Sequence, residues 1–157
     1  MVPAFPNARY HVQKAHWELS QKPTDKDRAS FMPDDFLPLN NHGVLDFVEG
    51  EGEIFPGIGL VVCNGHTTAQ QLPKISDGKT TLLFCCDLVP TTGHLPAPYI
   101  MAYDVRPLVT LEEKKRILGQ AADEGWTLFL EHDPATEAMT IKRTGKSFVV
   151  GERMTLA

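Results

Sequence analysis

The sequence predicts an α/β chain, an α+β layered fold in which a mixed sheet carries flanking helices. Three observations lead there. Compact apolar runs of strand length recur at Ile58–Cys63, Thr80–Cys86 and Trp126–Leu130. One long stretch, Thr110 to Gly125, has apolar residues at helical spacing. It falls between two of the strand candidates, as layered sheet-and-helix folds require. The chain has 157 residues, a net charge of −5, 42% hydrophobic and 22% charged residues. That profile suits one globular domain with a real core, and it excludes collagen-like, coiled-coil and disordered classes.

The elements follow in order. Pro3, Pro6, Pro23, Pro33 and Pro38 punctuate the first forty residues, so short elements and loops are expected there. Arg9–Val12 reads as a short strand, and Lys14–Ser20 as one or two helical turns. Thr24–Ser30 is charged and reads as a solvated loop or short helix. Val44–Val48 is strand-like, and Glu49–Glu53 reads as a turn. Ile58–Cys63 is a buried strand. Gln70–Ile75 is a weaker one, which Pro73 assigns to a sheet edge. Ser76-Asp77-Gly78-Lys79 is a hairpin signal leading into the buried strand Thr80–Cys86. Leu88–Pro107 is a proline-rich loop. Thr110 and Glu113 form a capping box, Leu111, Ile117, Leu118, Ala121 and Ala122 share a face, and Gly125 suits the C-terminal cap. Trp126–Leu130 is a strand. Met139–Lys142 and Ser147–Val150 form a last hairpin around Gly145.

Composition narrows the function. No run of about 18 apolar residues is present, so no membrane span is expected. The start lacks the basic and apolar regions of a signal peptide. An acidic balance without a basic stripe argues against nucleic acid as a partner. Three cysteines, two of them adjacent, make a poor disulfide framework, and a cytoplasmic location is expected.

Each of the three buried strands runs into polar residues able to bind a metal. These are Asn64-Gly65-His66, Asp87 and Glu131-His132-Asp133. Loops at strand ends are where layered folds gather ligands. Imidazole and carboxylate donors suit zinc, iron or manganese. A lone histidine is more often a core or surface residue, and a lone aspartate after a strand is usually a cap. Spacing alone leaves the set evenly balanced between a site and such structural roles.

The ordered series Gly65-His66-Thr67, Cys86-Asp87 and Glu131-His132-Asp133 resembles the C-terminal half of metallo-β-lactamase-fold hydrolases. Phe5–Tyr10, Asp27–Ser30, Pro56-Gly57-Ile58, Asp87–Thr91, Met101–Asp104 and Asp123–Trp126 extend that resemblance along most of the chain. It implies half of a four-layer αββα sandwich with a one- or two-metal site at a sheet edge. By resemblance, His66 joins the first metal, Asp87 bridges both and is the catalytic carboxylate, and His132 joins the second. The implied reaction is cleavage of an ester, lactone or related bond in a small-molecule substrate by metal-bound hydroxide. His94, Tyr103, Asp104 and Glu131 are candidate substrate-facing or ligand-orienting groups.

The departures matter as much. The family's His-x-His-x-Asp-His motif is absent, since His11 and His16 have no aspartate between them and His42 stands alone. Residues 1–157 are therefore expected to form a single partial domain, with a loop-rich lead-in over 1–43 and a sheet-and-helix core over 44–157. Metal occupancy is then expected to be partial or nil, and the isolated chain inactive unless a complementing N-terminal segment or a homo-oligomer completes the site. The alternative is a non-catalytic remnant that acts as a binding or self-assembly module. Gln70 stands where the family often has a second histidine. Cys86 stands where it usually has glycine, either as a tolerated buried thiol, an extra soft ligand or a mark of a relaxed site.

Overall fold

The computed structural model describes residues 2–156. The chain divides after Gly50 into two compact units. In the first, β1 (Tyr10–Gln13) pairs in parallel with β2 (Leu45–Val48). Between them lie α1 (Lys14–Gln21) and α2 (Pro33–Asn41). Trp17 holds this unit together, its ring 5.6 Å from Phe36 and 5.7 Å from Phe47. The region consists of short elements and loops, as its prolines lead one to expect. Pro33 opens α2, where its missing N–H costs nothing. Pro38 sits inside α2, which is short enough to lose one bond and persist.

The second unit is built on a seven-stranded mixed sheet. Its strands are β3 (Gly52–Phe55), β4 (Ile58–Cys63), β5 (Gln70–Ser76), β6 (Thr81–Phe84), β7 (Thr127–Phe129), β8 (Ala138–Thr144) and β9 (Ser147–Met154), adjacent in that order. The β6–β7 pair is parallel, and the others are antiparallel. The parallel step needs a crossover, supplied by α3 (Pro107–Glu124), which ends at Gly125 with φ 68°. The fold class expected from the sequence is the one observed. No described helix is long and apolar enough to cross a membrane.

Alternation along the strands makes the core. Val61, Leu72, Leu83, Leu128 and Met139 point to one face and pack on Ile117, Leu118 and Ala121 of α3. Burying each large side chain contributes roughly 1.5–3 kcal/mol.

Two expectations need correction. Pro73 lies in an inner strand, opposite Leu60 of β4, and not at an edge. The ladder between β5 and β6 begins at Lys74, so the absent Pro73 N–H leaves no gap on that side. The capping box is also not formed. Pro107 starts α3 three residues before Thr110, the N-cap is Arg106, and no side chain caps the helix. Thr110 and Glu113 hold other partners, described next.

Candidate metal centre

Topology places the candidate donors together. Strands β4, β6 and β7 run in the same direction, because β5 lies antiparallel between the first two and β6 pairs in parallel with β7. Their C-terminal ends therefore share one rim of the sheet. His66 follows β4, Asp87 follows β6 and His132 follows β7.

The His66 loop is fastened to α3. Glu113 accepts the backbone N–H of Asn64 at 2.6 Å and of Gly65 at 3.0 Å. Arg106 donates to the Asn64 carbonyl at 2.7 Å and to the Thr68 hydroxyl at 2.8 Å. The backbone N–H groups of Val105 and Arg106 bond back to the carbonyls of His66 and Gly65. Gly65 is required here, because a Cβ would stand 2.1 Å from Thr110 Oγ1.

The His66 ring is oriented by Asp104, which is buried. Asp104 Oδ1 lies 2.9 Å from His66 Nδ1, and Thr110 donates to Asp104 Oδ2. A carboxylate on Nδ1 holds the proton there and leaves Nε2 as a lone pair. That Nε2 lies 3.5 Å from Asp87 Oδ2.

The second carboxylate oxygen is matched. Asp87 Oδ1 lies 3.5 Å from His132 Nε2, which is also 3.4 Å from Glu131 Oε1. One donor atom each from Asp87, Glu131 and His132 falls within a 4.8 Å group. Donors on one tetrahedral zinc stand about 3.3–3.5 Å apart, given ligand bonds of about 2.0–2.2 Å. Asp87, Glu131 and His132 thus have the donor chemistry and proximity to hold a divalent cation, while His66 faces the other Asp87 oxygen and stands outside that group. Burial, and after it the charge of Asp87, push the Glu131 carboxyl upward, while His132 and His66 draw it back.

The sequence-derived residues sort as follows. His66, Asp87 and His132 come together, and Asp104 lies behind His66. Glu131 stands in the donor cluster itself. Tyr103 is largely exposed, and His94 Nδ1 is held 2.9 Å from Thr91 Oγ1. Asp133 is engaged by the Thr92 loop and its own turn. It binds the Thr92 N–H and hydroxyl, each at 2.8 Å, and the N–H groups of Ala135 and Thr136. These bonds pull its carboxyl down to about 2. Cys86 adopts φ 46°, the left-handed conformation that favours glycine. Burial pushes its thiol up to about 12, so it is an inert thiol by itself. Sequence reasoning missed Thr110 and Glu113 as partners of Asp104 and of the His66 loop. The i, i+3 spacing of Thr110 and Glu113 has an equally good local explanation, and only the fold decides.

No family model matches the chain. No curated protein matches it either. Solved structures do. One is a probable metal-dependent hydrolase from Staphylococcus aureus, with TM-score 0.82 and 22% identity over 96% of this chain and 55% of that one. Another is AidC, a dizinc quorum-quenching lactonase in complex with a product, with TM-score 0.80 and 19% identity over 98% and 57%. A third is an N-acyl homoserine lactone hydrolase with its product at the catalytic metal centre, with TM-score 0.66 and 24% identity over 83% and 49%. The chain spans about half the length of the structures it matches.

Proposed function

We propose that this chain, whose fold is that of metal-dependent hydrolases of the β-lactamase superfamily, binds a divalent cation and forms part of a hydrolase active site. The observation that carries this reading is Asp87, each of whose oxygens faces an imidazole Nε2 at 3.5 Å. His66 and His132 would hold the ion or ions, with Asp87 between them and Glu131 as a further donor. Zinc fits, and iron or manganese accept the same donors. When bound, such a cation polarises a carbonyl or phosphoryl oxygen and brings the pKa of water near neutral. The proposed substrate is a small ester, lactone or related compound.

The chain's residues bind and orient. Asp104 keeps the proton of His66 on Nδ1, so that Nε2 points its lone pair toward Asp87. Asp87, as the catalytic carboxylate, presents both oxygens to the same space. The His-x-His-x-Asp-His motif does not occur in this sequence. The further ligands of a two-metal centre would come from another polypeptide segment or a second copy of the chain.

Metal analysis after exposure to zinc and removal of free ion tests this. The expected result is partial retention, between about a tenth of an ion and one ion per chain, lost in His66→Ala and His132→Ala. Retention below about a tenth of an ion, unchanged by either substitution, refutes the metal reading. A non-catalytic binding module would then be the better account.

A further inference from the structure

The longest irregular segment of the second unit lies between Asp87, in the centre, and Asp104, behind His66. Outside single helical turns at Cys86–Leu88 and Thr92–His94, it has no regular structure of its own. Pro90, Pro96 and Pro98 remove three N–H groups, and its own backbone bonds are single-turn ones, from His94 to Thr91, Leu95 to Thr92, Tyr99 to Pro96 and Asp104 to Met101. Leu88, Val89 and Leu95 anchor part of it in the core, and the stretch from His94 to Tyr99 needs a further tie.

Lys114 supplies it from α3. The residue is fully buried. Its Nζ donates to the backbone carbonyls of His94, of Pro96 at 2.9 Å and of Tyr99 at 2.7 Å. An ammonium has three N–H donors, and this geometry uses all three on one stretch of loop. A buried cation without such partners is strongly unfavourable, so the bonds bind loop and helix together. Thr110, one helical turn earlier, bonds Asp104. At the other end Thr92 is tied to Asp133, which adjoins His132. Burial draws the Lys114 ammonium down to about 8, and Asp104 raises it again, so the two groups act on each other electrostatically.

We infer that Lys114 is a positioning residue, which sets the Thr91–Asp104 segment and through Asp104 the orientation of the His66 ring. Its effect on metal affinity rests on the reading of the centre given above, but its effect on His66 does not.

The first measurement therefore needs no metal. In nitrogen-15 NMR spectra of the whole chain, the wild-type His66 ring is expected as a single Nδ1–H tautomer with a slowly exchanging proton. Lys114→Met removes all donors at similar length, and Lys114→Gln keeps two. With far-UV circular dichroism and the near-UV Trp126 signal unchanged, Lys114→Met should lose the slow proton and mix the tautomers. Lys114→Gln should restore part of the signal. An unchanged His66 signal in folded Lys114→Met overturns the inference. If Lys114→Met does not fold, the comparison is made with Lys114→Gln alone, and an unchanged signal there overturns it as well. Unfolding of both variants also overturns it, because Lys114 would then serve the whole fold and not this loop. The second measurement is zinc affinity, expected to fall about tenfold or more in folded Lys114→Met. A wild-type chain with the His66 signal but no zinc binding defeats the proposed function and leaves the positioning role standing.

Discussion

Gly65 and Asp133 carry the sharpest residue-level expectations. A Cβ on Gly65 would meet Thr110 Oγ1 at 2.1 Å, its backbone N at 2.4 Å and its Cα at 2.6 Å. Backbone cannot yield as a flexible side chain does. Gly65→Ala should therefore cost about 3 kcal/mol or more in urea unfolding. A loss below about 1 kcal/mol would mean that the loop and α3 are not in close contact. Asp133 gives a pH dependence. Its folded pKa of about 2 lies below the ordinary carboxylate value, so its contribution to stability is complete above that ordinary value. It is lost as pH falls toward about 2. Between pH 4 and pH 2 the wild type should lose more stability than Asp133→Asn, measured by denaturant midpoints. Equal losses would remove Asp133 from the account. The residues at the centre were legible through the ordered series Gly65-His66-Thr67, Cys86-Asp87 and Glu131-His132-Asp133 and its resemblance to a known family, and not through their types, since a histidine or aspartate after a strand usually has a structural role. Cys86 was legible as an anomaly, although its cause, a backbone at φ 46°, needed the fold.

At the scale of elements, apolar runs were the reliable signal. Ile58–Cys63 forms a strand with the expected bounds, since a run of that length can be buried only one way between β3 and β5. The start of α3 was not legible. Thr110 and Glu113 match the capping pattern, but Pro107 begins the helix earlier, Glu113 turns to the His66 loop and Thr110 to Asp104. Local pattern cannot register a partner nearly fifty residues away. The two assignments differ experimentally. Glu113→Ala should leave the exchange rates of the first α3 amides unchanged, whereas a capping role would increase fraying there. It should cost about 1.5–3 kcal/mol, the range for bonds to a charged group, and weaken zinc binding through the His66 loop. Faster exchange confined to the helix start would restore the capping interpretation.

Across the molecule, the core and the candidate centre are separate structures that share a sheet. The core is the face of the sheet beneath α3, from Val61 to Phe148, and none of the proposed ligands belongs to it. His66, Asp87 and His132 sit on the rim at the strand ends, where the fold presents them without depending on them. A zinc finger is different, because there the metal supplies the folding energy. This chain should therefore stay folded when zinc is removed with a chelator, with its circular dichroism unchanged. Added zinc should stabilise it only by linkage, about 2.7 kcal/mol at a free concentration one hundred times Kd. His132→Ala should abolish that gain with little effect on the metal-free protein, since the His132 side chain is 57% exposed. Unfolding on chelation would show that the rim helps hold the sheet together. A zinc-dependent rise in the melting temperature that persists in His132→Ala would place the ion elsewhere. The separation also accounts for what the sequence could carry: hydrophobic pattern alone builds the sheet that brings the donors together, so their meeting needs no signal of its own.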